Sequence, residues 1–122
     1  MNKTDGPPVI GIVGVCASGK STLVRSLSSL GLDCHHIAQE HSYVKDMWKR
    51  ITAPDFLVYL QVSYPTTIRR QNLNWTQAEY DEQLFRLRHA HENADLIVDT
   101  DPLSEDQVLT IVIAALGDHG YL

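Results

Sequence analysis

The stretch Val9 to Thr22, V-I-G-I-V-G-V-C-A-S-G-K-S-T, constrains the chain more than any other. A β-branched apolar run breaks into a glycine loop, and the loop runs into a helix start. Gly14, Gly19, Lys20 and Ser21 fit G-x-x-x-x-G-K-[ST], the phosphate-binding loop signature, in the strand-before, helix-after context that the signature requires. The glycines let the backbone adopt positive φ and approach a ligand closely, so that successive N–H groups converge on phosphate oxygens. Ala17, Ser18 and Thr22 complete the expected phosphate contacts. Lys20 adds a point charge at the β- and γ-phosphates, and the Ser21 hydroxyl is placed to hold Mg²⁺. The helix that follows turns the positive end of its dipole toward the same anions. The expected ligands are therefore ATP, or another nucleoside triphosphate, and Mg²⁺.

A chain of 122 residues suffices for one domain with one buried core. With 20% charged and 43% apolar residues the composition is that of a globular protein. A net charge of -5 without a Lys/Arg cluster argues against nucleic acid as the ligand, because such binding needs a concentrated basic surface. A small phosphorylated ligand fits better. No apolar run approaches the ~18 residues of a spanning helix, so no membrane partner is expected. Cys16 lies in the glycine loop and Cys34 in a predicted strand, so a disulfide would have to cross the binding site. Two reduced thiols and a cytoplasmic address are the expectation.

In chain order, residues 1–8 read as a loose tail, followed by a nucleotide-binding domain over 9–122. Val9 to Val13 is a buried central strand, and a helix over 21–30 follows, with Leu23, Leu27 and Leu30 on one face and Gly31 as its stop. Leu32 to Ile37 is a short strand candidate, and a short helix is expected around 44–50. Phe56 to Val62 is the second buried strand, with a helix starting near Thr66. Thr76-Gln77-Ala78-Glu79 is a capping box opening a longer helix whose stripe reads Tyr80, Leu84, Leu87, His91, Ala94. Ala94 to Val98 is the last strand, ending at Asp99. Ser104-Glu105-Asp106-Gln107 is a second capping box, opening a helix that runs to about Leu116 and stops at Gly117. Strands alternating with helices predict an α/β fold, a three-layer α/β/α sandwich on a parallel sheet. In such a sheet the ligand crevice lies at the carboxyl ends of the strands, which puts the glycine loop, the stretch after Ile37, Gln61 to Tyr64 and Asp99 to Pro102 on one rim.

The acid that assists the metal is open at this level. The strand F-L-V-Y-L-Q-V-S ends without a carboxylate, leaving Glu40 after the second strand and Asp99 after the last, the latter also readable as a turn residue. His41, next to Glu40, is a candidate general base or substrate contact. His89 and His91 stand two apart on a helix and do not match a zinc pattern. Arg69, Arg70, Arg86 and Arg88 lie in a lid-like segment over 65–93, from which cations can reach transferring phosphates.

The order of these parts resembles the small P-loop kinases, the adenylate, shikimate and dephospho-coenzyme A kinase group. L-G-L-D-C-H-H-I-A-Q-E at 30–40 is similar to the segment after the first helix of dephospho-coenzyme A kinases, and R-R-Q-N-L-N-W-T-Q-A-E-Y at 69–80 to their lid entry. The resemblance implies a P-loop NTPase fold of reduced size and transfer of the γ-phosphoryl group to a small acceptor. Arg69 or Arg70, with Arg86, would be lid arginines, and Thr100 to Leu103, including Asp101 and Pro102, would lie against the base. Two features depart from the pattern. Cys34, His35 and His36 stand where such kinases carry acids that activate the acceptor, and residues 37–56 are too few for an acceptor insertion plus another strand. The alternative expectation is a nucleotide-binding switch, or an NTPase that depends on a partner protein.

Overall fold

The computed structural model describes residues 6–72 and 74–122. The expected tail over 1–8 therefore falls mostly outside the described residues. Four strands, β1 (Val9–Gly14), β2 (Asp33–His36), β3 (Phe56–Gln61) and β4 (Leu96–Asp99), form one sheet in the order β2-β1-β3-β4, with every pair parallel. Between them run α1 (Lys20–Ser29), α2 (Tyr64–Gln71), α3 (Gln77–Arg86) and α4 (Arg88–Asn93), and α5 (Glu105–Asp118) follows β4.

Alternation along the strands sends side chains to two cores, one on each face of the sheet. Ile10, Ile12, Phe56, Val58, Leu60 and Val98 pack with Leu23 and Leu27 of α1 and with Val108, Val112 and Leu116 of α5. On the other face Val13, Leu57 and Tyr59 pack with Ile37, Trp48, Tyr80, Leu87 and Ala90. A parallel sheet buried on both faces reads in sequence as the unbroken apolar runs at β1 and β3. Among the described residues no helix is long and apolar enough to cross a membrane.

Both predicted capping boxes are formed. The Thr76 hydroxyl accepts from the Glu79 amide while the Glu79 carboxylate accepts from the Thr76 amide, and Ser104 and Gln107 do the same for α5. At the end of α1, Gly31 (φ 88°) turns left-handed and the Leu32 amide reaches back to the Leu27 carbonyl, the stop that a glycine provides without a Cβ clash.

Several expectations shift. α2 begins at Tyr64 instead of Thr66, because Pro65 already has the φ of a first helical turn, where its missing N–H costs nothing. The short helix expected over 44–50 is instead a five-residue π turn at Trp48–Thr52, closed by Ala53 in the left-handed region. The long helix after Thr76 is interrupted at Leu87, and its buried line is Tyr80, Gln83, Leu87 and Ala90, not the predicted Tyr80, Leu84, Leu87, His91, Ala94. Leu84 and His91 are exposed. α5 continues through Gly117 to Asp118, and the chain turns left-handed only at Gly120 (φ 77°).

Candidate functional site

The glycine loop leaves β1 at the carboxyl edge of the sheet and is shaped by contacts on three sides. A Cβ at Gly14 would stand 2.6 Å from both the Leu60 carbonyl oxygen and Ser18 Oγ, so only glycine fits between β3 and the loop. Ala17 (φ 67°) and Gly19 (φ 100°) take left-handed backbone, and the Ser18 amide closes a turn on the Val15 carbonyl at 3.2 Å. α1 then begins with Gly19 as its N-cap. Unlike α3 and α5, it has no side-chain cap and no acid in its first turn. Its first amides have no intrahelical acceptor and carry the positive end of the helix dipole.

Lys20 is turned back under this loop and is only 6% exposed. Its ammonium donates to the Gly14 carbonyl at 2.6 Å and the Val15 carbonyl at 3.0 Å, and pairs with Glu40 Oε2 at 3.0 Å. Those three contacts match the three donors of an ammonium. The Ser21 hydroxyl is exposed on the first turn of α1, and Thr22 is half-buried beside it. Ser18 is buried, and its Oγ has no hydrogen-bond partner among the described residues.

Glu40 reaches Lys20 because the chain leaves β2 along β1, with the Ile37 amide donating to Ile12, and then turns through a 3₁₀ turn at Gln39–His41. Fully buried Gln39 fixes that turn. It donates to the Val44 and Arg86 carbonyls and accepts from the Trp48 amide. Arg86 pairs with Glu82 at 3.1 Å, extends toward the Glu40 carbonyl at 3.5 Å and lies over the Tyr43 ring. Glu40 Oε2 is 3.7 Å from His41 Nε2, while Oε1 is buried with no partner. Burial, and then the positive charge of Lys20, holds the nearby His36 imidazole below its ordinary value.

Arg70 and Arg69, adjacent in sequence, are used differently. Arg70 donates to the Ala17 carbonyl of the loop at 3.2 Å and to the Thr100 hydroxyl at 3.0 Å, and also to the Thr100 carbonyl, tying α2 to the loop and to the end of β4. Arg69 stays on α2 with Thr66. Next to the loop lies a cleft of about 530 Å³ lined by Ala17, Gly19, Thr22, Arg70, Leu103 and Val108 among others. Asp101 points away from it and accepts from the Ser63 amide at 2.9 Å. Burial opposes its charge, but the Ser63 and Thr66 hydrogen bonds and the Arg70 cation together hold its carboxyl below the usual range. Pro102 is exposed in the turn between β4 and α5. Asp99 accepts from the Asp101 amide at 3.3 Å, a turn role. Of the two candidate acids, Glu40 is the one that meets Lys20.

Two polar residues of the site were not singled out from the sequence. Gln39 stands in A-Q-E-H, where no pattern marks it. Thr100, expected with residues 101–103 to lie against the base, is the hub between Arg70 and Gln61. Gln83 did leave a signal, since Tyr80, Gln83, Leu87 and Ala90 are spaced three, four and three, a helix face. Its amide accepts from the Cys16 amide at 3.0 Å and donates to Cys16 Sγ at 3.2 Å. His89 accepts from Trp48 Nε1 at 3.1 Å and His91 packs edge-on against Tyr59, both structural roles. Cys16 and Cys34 are free thiols, and burial, reinforced by Asp33, pushes the Cys34 thiol up to about 12.

Searched against models of known families and against curated proteins, the chain matches none.

Proposed function

We propose that this domain binds a nucleoside triphosphate with Mg²⁺ and transfers its γ-phosphoryl group to a small acceptor, as a compact relative in architecture of the small P-loop kinases. The observation that carries the reading is the uncapped start of α1, behind a loop that Gly14 lets pack closely on Leu60 and Ser18, with a buried lysine folded beneath it. Free helix-start amides and an adjacent ammonium are the chemistry that polyphosphate needs. The orphaned Ser18 hydroxyl is a further donor of the kind an anion would satisfy.

In this reading the loop amides and Lys20 hold the phosphates, and Ser21 holds the metal with help from Glu40. Bound Mg²⁺–nucleotide supplies the transferable phosphoryl group and part of the charge neutralisation. Lys20 keeps the Gly14 and Val15 carbonyls as fixed anchors and exchanges Glu40 for a phosphate oxygen. Freed from Lys20, the Glu40 carboxylate, with His41 beside it, would be available to accept an acceptor's proton. Arg70 links the loop and the adjoining cleft, and the cleft lined by Leu103 and Val108 would take the nucleobase. Arg86 steadies the Glu40 turn.

Calorimetry with ATP and Mg²⁺ tests the binding step, and labelled ATP with a panel of hydroxyl- and phosphate-bearing metabolites tests the transfer. Lys20→Ala is expected to weaken binding at least tenfold. Unchanged affinity in that variant, with no labelled product from any acceptor, refutes the proposal. The rival reading, a switch or partner-dependent NTPase, draws on the stretch between Ile37 and Phe56, where the described residues form a 3₁₀ turn at Gln39–His41 and a π turn at Trp48–Thr52 but no strand or α-helix that could hold an acceptor. Tight nucleotide binding with turnover only upon addition of a second protein favours it.

A further inference from the structure

Cys16 of the glycine loop, Glu40 and His41 lie together. One ligand atom from each, the Cys16 sulfur, a Glu40 carboxylate oxygen and a His41 ring nitrogen, all fall within 4.8 Å of one another. The phosphate reading does not use the thiol, and without nucleotide the second oxygen of Glu40 has no role in it. That oxygen, Oε1, belongs to a side chain only 4% exposed and has no hydrogen-bond partner, while Oε2 serves Lys20. Leaving a buried carboxylate oxygen without a donor is costly, so something other than the protein's own hydrogen bonds is expected to meet it. We infer that Cys16, Glu40 and His41 form a binding site for a borderline-soft divalent cation of the zinc type.

The ligand chemistry selects the ion. A sulfur, an imidazole nitrogen and a carboxylate oxygen make a mixed S/N/O set suited to zinc and unsuited to Mg²⁺, which takes hard oxygen ligands. Zinc bonds of about 2.0–2.3 Å at tetrahedral angles set ligand atoms roughly 3.5 Å apart. The three atoms must therefore close by about an ångström, and the mobile member is available, because the His41 side chain is 60% exposed. Exposure at His41 also leaves the fourth position open to water. The sulfur is oriented from outside the set, since Gln83 grips both the Cys16 amide and Sγ through a single side-chain amide, a supporting contact of the kind that tunes metal ligands. In the proposed site the Glu40 carboxylate bridges the ion and Lys20, since Oε2 is the oxygen both 3.0 Å from the ammonium and 3.7 Å from His41 Nε2, and Oε1 is left to complete the contact with the ion. Coordination replaces the S–H bond of Cys16 with a sulfur–metal bond and releases the thiol proton to solvent.

The test uses the full reduced chain, stripped of metal, titrated with Co²⁺ and then Zn²⁺ in the absence of nucleotide. The expected result is one equivalent of Co²⁺ with a thiolate-to-cobalt charge-transfer band that Zn²⁺ bleaches and excess Mg²⁺ does not. Cys16→Ser abolishes the band, His41→Ala weakens binding at least tenfold, and Cys34→Ser leaves both unchanged. In the unmutated chain, saturating Zn²⁺ protects Cys16 from iodoacetamide, read by peptide mass spectrometry. That measurement does not depend on any variant folding. No band, a band that survives in Cys16→Ser, or a Cys16 that zinc leaves open to alkylation overturns the inference. Because nucleotide is omitted, each of these outcomes is independent of the phosphate reading.

Discussion

Removing the Lys20 ammonium while keeping its stem, Lys20→Met, leaves Glu40 buried and without the cation that compensates it. At 3.0 Å the gross Coulomb attraction is about 5.5 kcal/mol for an effective dielectric near 20. Desolvating both ions offsets most of that gain, so the ion pair contributes little compared with a neutral pair of the same shape. The orphaned ion is what costs. Glu40 Oε1 already has no partner, and losing Lys20 would strip Oε2 of its close one, leaving only His41 at 3.7 Å. Breaking one side of a buried pair is expected to destabilise by about 3–5 kcal/mol, a large part of the 5–15 kcal/mol typical of a domain. Lys20→Met/Glu40→Gln removes both charges and should recover at least about half of that loss. Glu40→Gln alone should cost less than Lys20→Met, because Lys20 keeps two carbonyl acceptors. Urea unfolding of the four proteins, read by circular dichroism and assembled as a double-mutant cycle, gives the coupling directly. A coupling below about 0.5 kcal/mol, within the additivity error for independent sites, would show that the two residues do not meet in solution, and would refute both the buried pairing and the exchange of Glu40 for phosphate at Lys20.

Other outcomes follow from single contacts. Asp101 carries a carboxyl held below its unfolded value, so its contribution to stability is fully present above that unfolded value and is lost as the pH falls through the lower folded value. Asp101→Asn should flatten the acid limb of a stability–pH curve measured by thermal unfolding, and an unchanged limb would refute the Ser63 and Arg70 environment. Ser104→Ala and Thr76→Ala each remove one half of a formed capping box and should cost about 1 kcal/mol apiece, additively in denaturant unfolding, since they open different helices. Iodoacetamide at mildly alkaline pH should label half-buried Cys16 well before buried Cys34, whose thiol stands at about 12. Equal labelling rates in the native protein would contradict the burial of β2.

The two strong strands, the glycine loop and both helix caps were legible because each is set by short-range chemistry, in the apolar runs at 9–14 and 56–61, the spacing of Gly14, Gly19 and Lys20, and the Thr76/Glu79 and Ser104/Gln107 pairs. What the sequence hid is what contacts across the fold decide. Glu40 was recognised as a carboxylate past a strand, but its burial depends on Gln39 threading three backbone groups from residues 44, 48 and 86. Arg69 and Arg70 are indistinguishable as letters, and the turn of α2 that begins at Tyr64 gives only Arg70 the direction of Ala17 and Thr100. The apolar stripe was misread at Leu84 because propensity favours leucine over glutamine on a buried face, whereas a glutamine with a thiol and an amide to satisfy is stable there.

The sheet order explains why the acid falls where it does. With β2 directly against β1 and β3 on its other side, the chain that leaves β2 has one short excursion, residues 37–55, in which to cross over the loop and return to the sheet. A longer excursion would admit another strand, with an acid at its end delivered by regular pairing. Here the carboxylate has to come from an irregular turn, and an irregular turn holds a buried charge only if its own backbone is satisfied. Gln39 meets that requirement through the Val44 and Arg86 carbonyls and the Trp48 amide, so Gln39→Ala is expected to act at a distance. It would release Glu40 from Lys20, lower stability by more than the loss of one exposed hydrogen bond, and abolish the Glu40–Lys20 coupling measured in the double-mutant cycle. Coupling that persists unchanged in the Gln39→Ala background would mean that the turn holds its shape without Gln39, and that the buried acid is positioned by Ile37 packing alone.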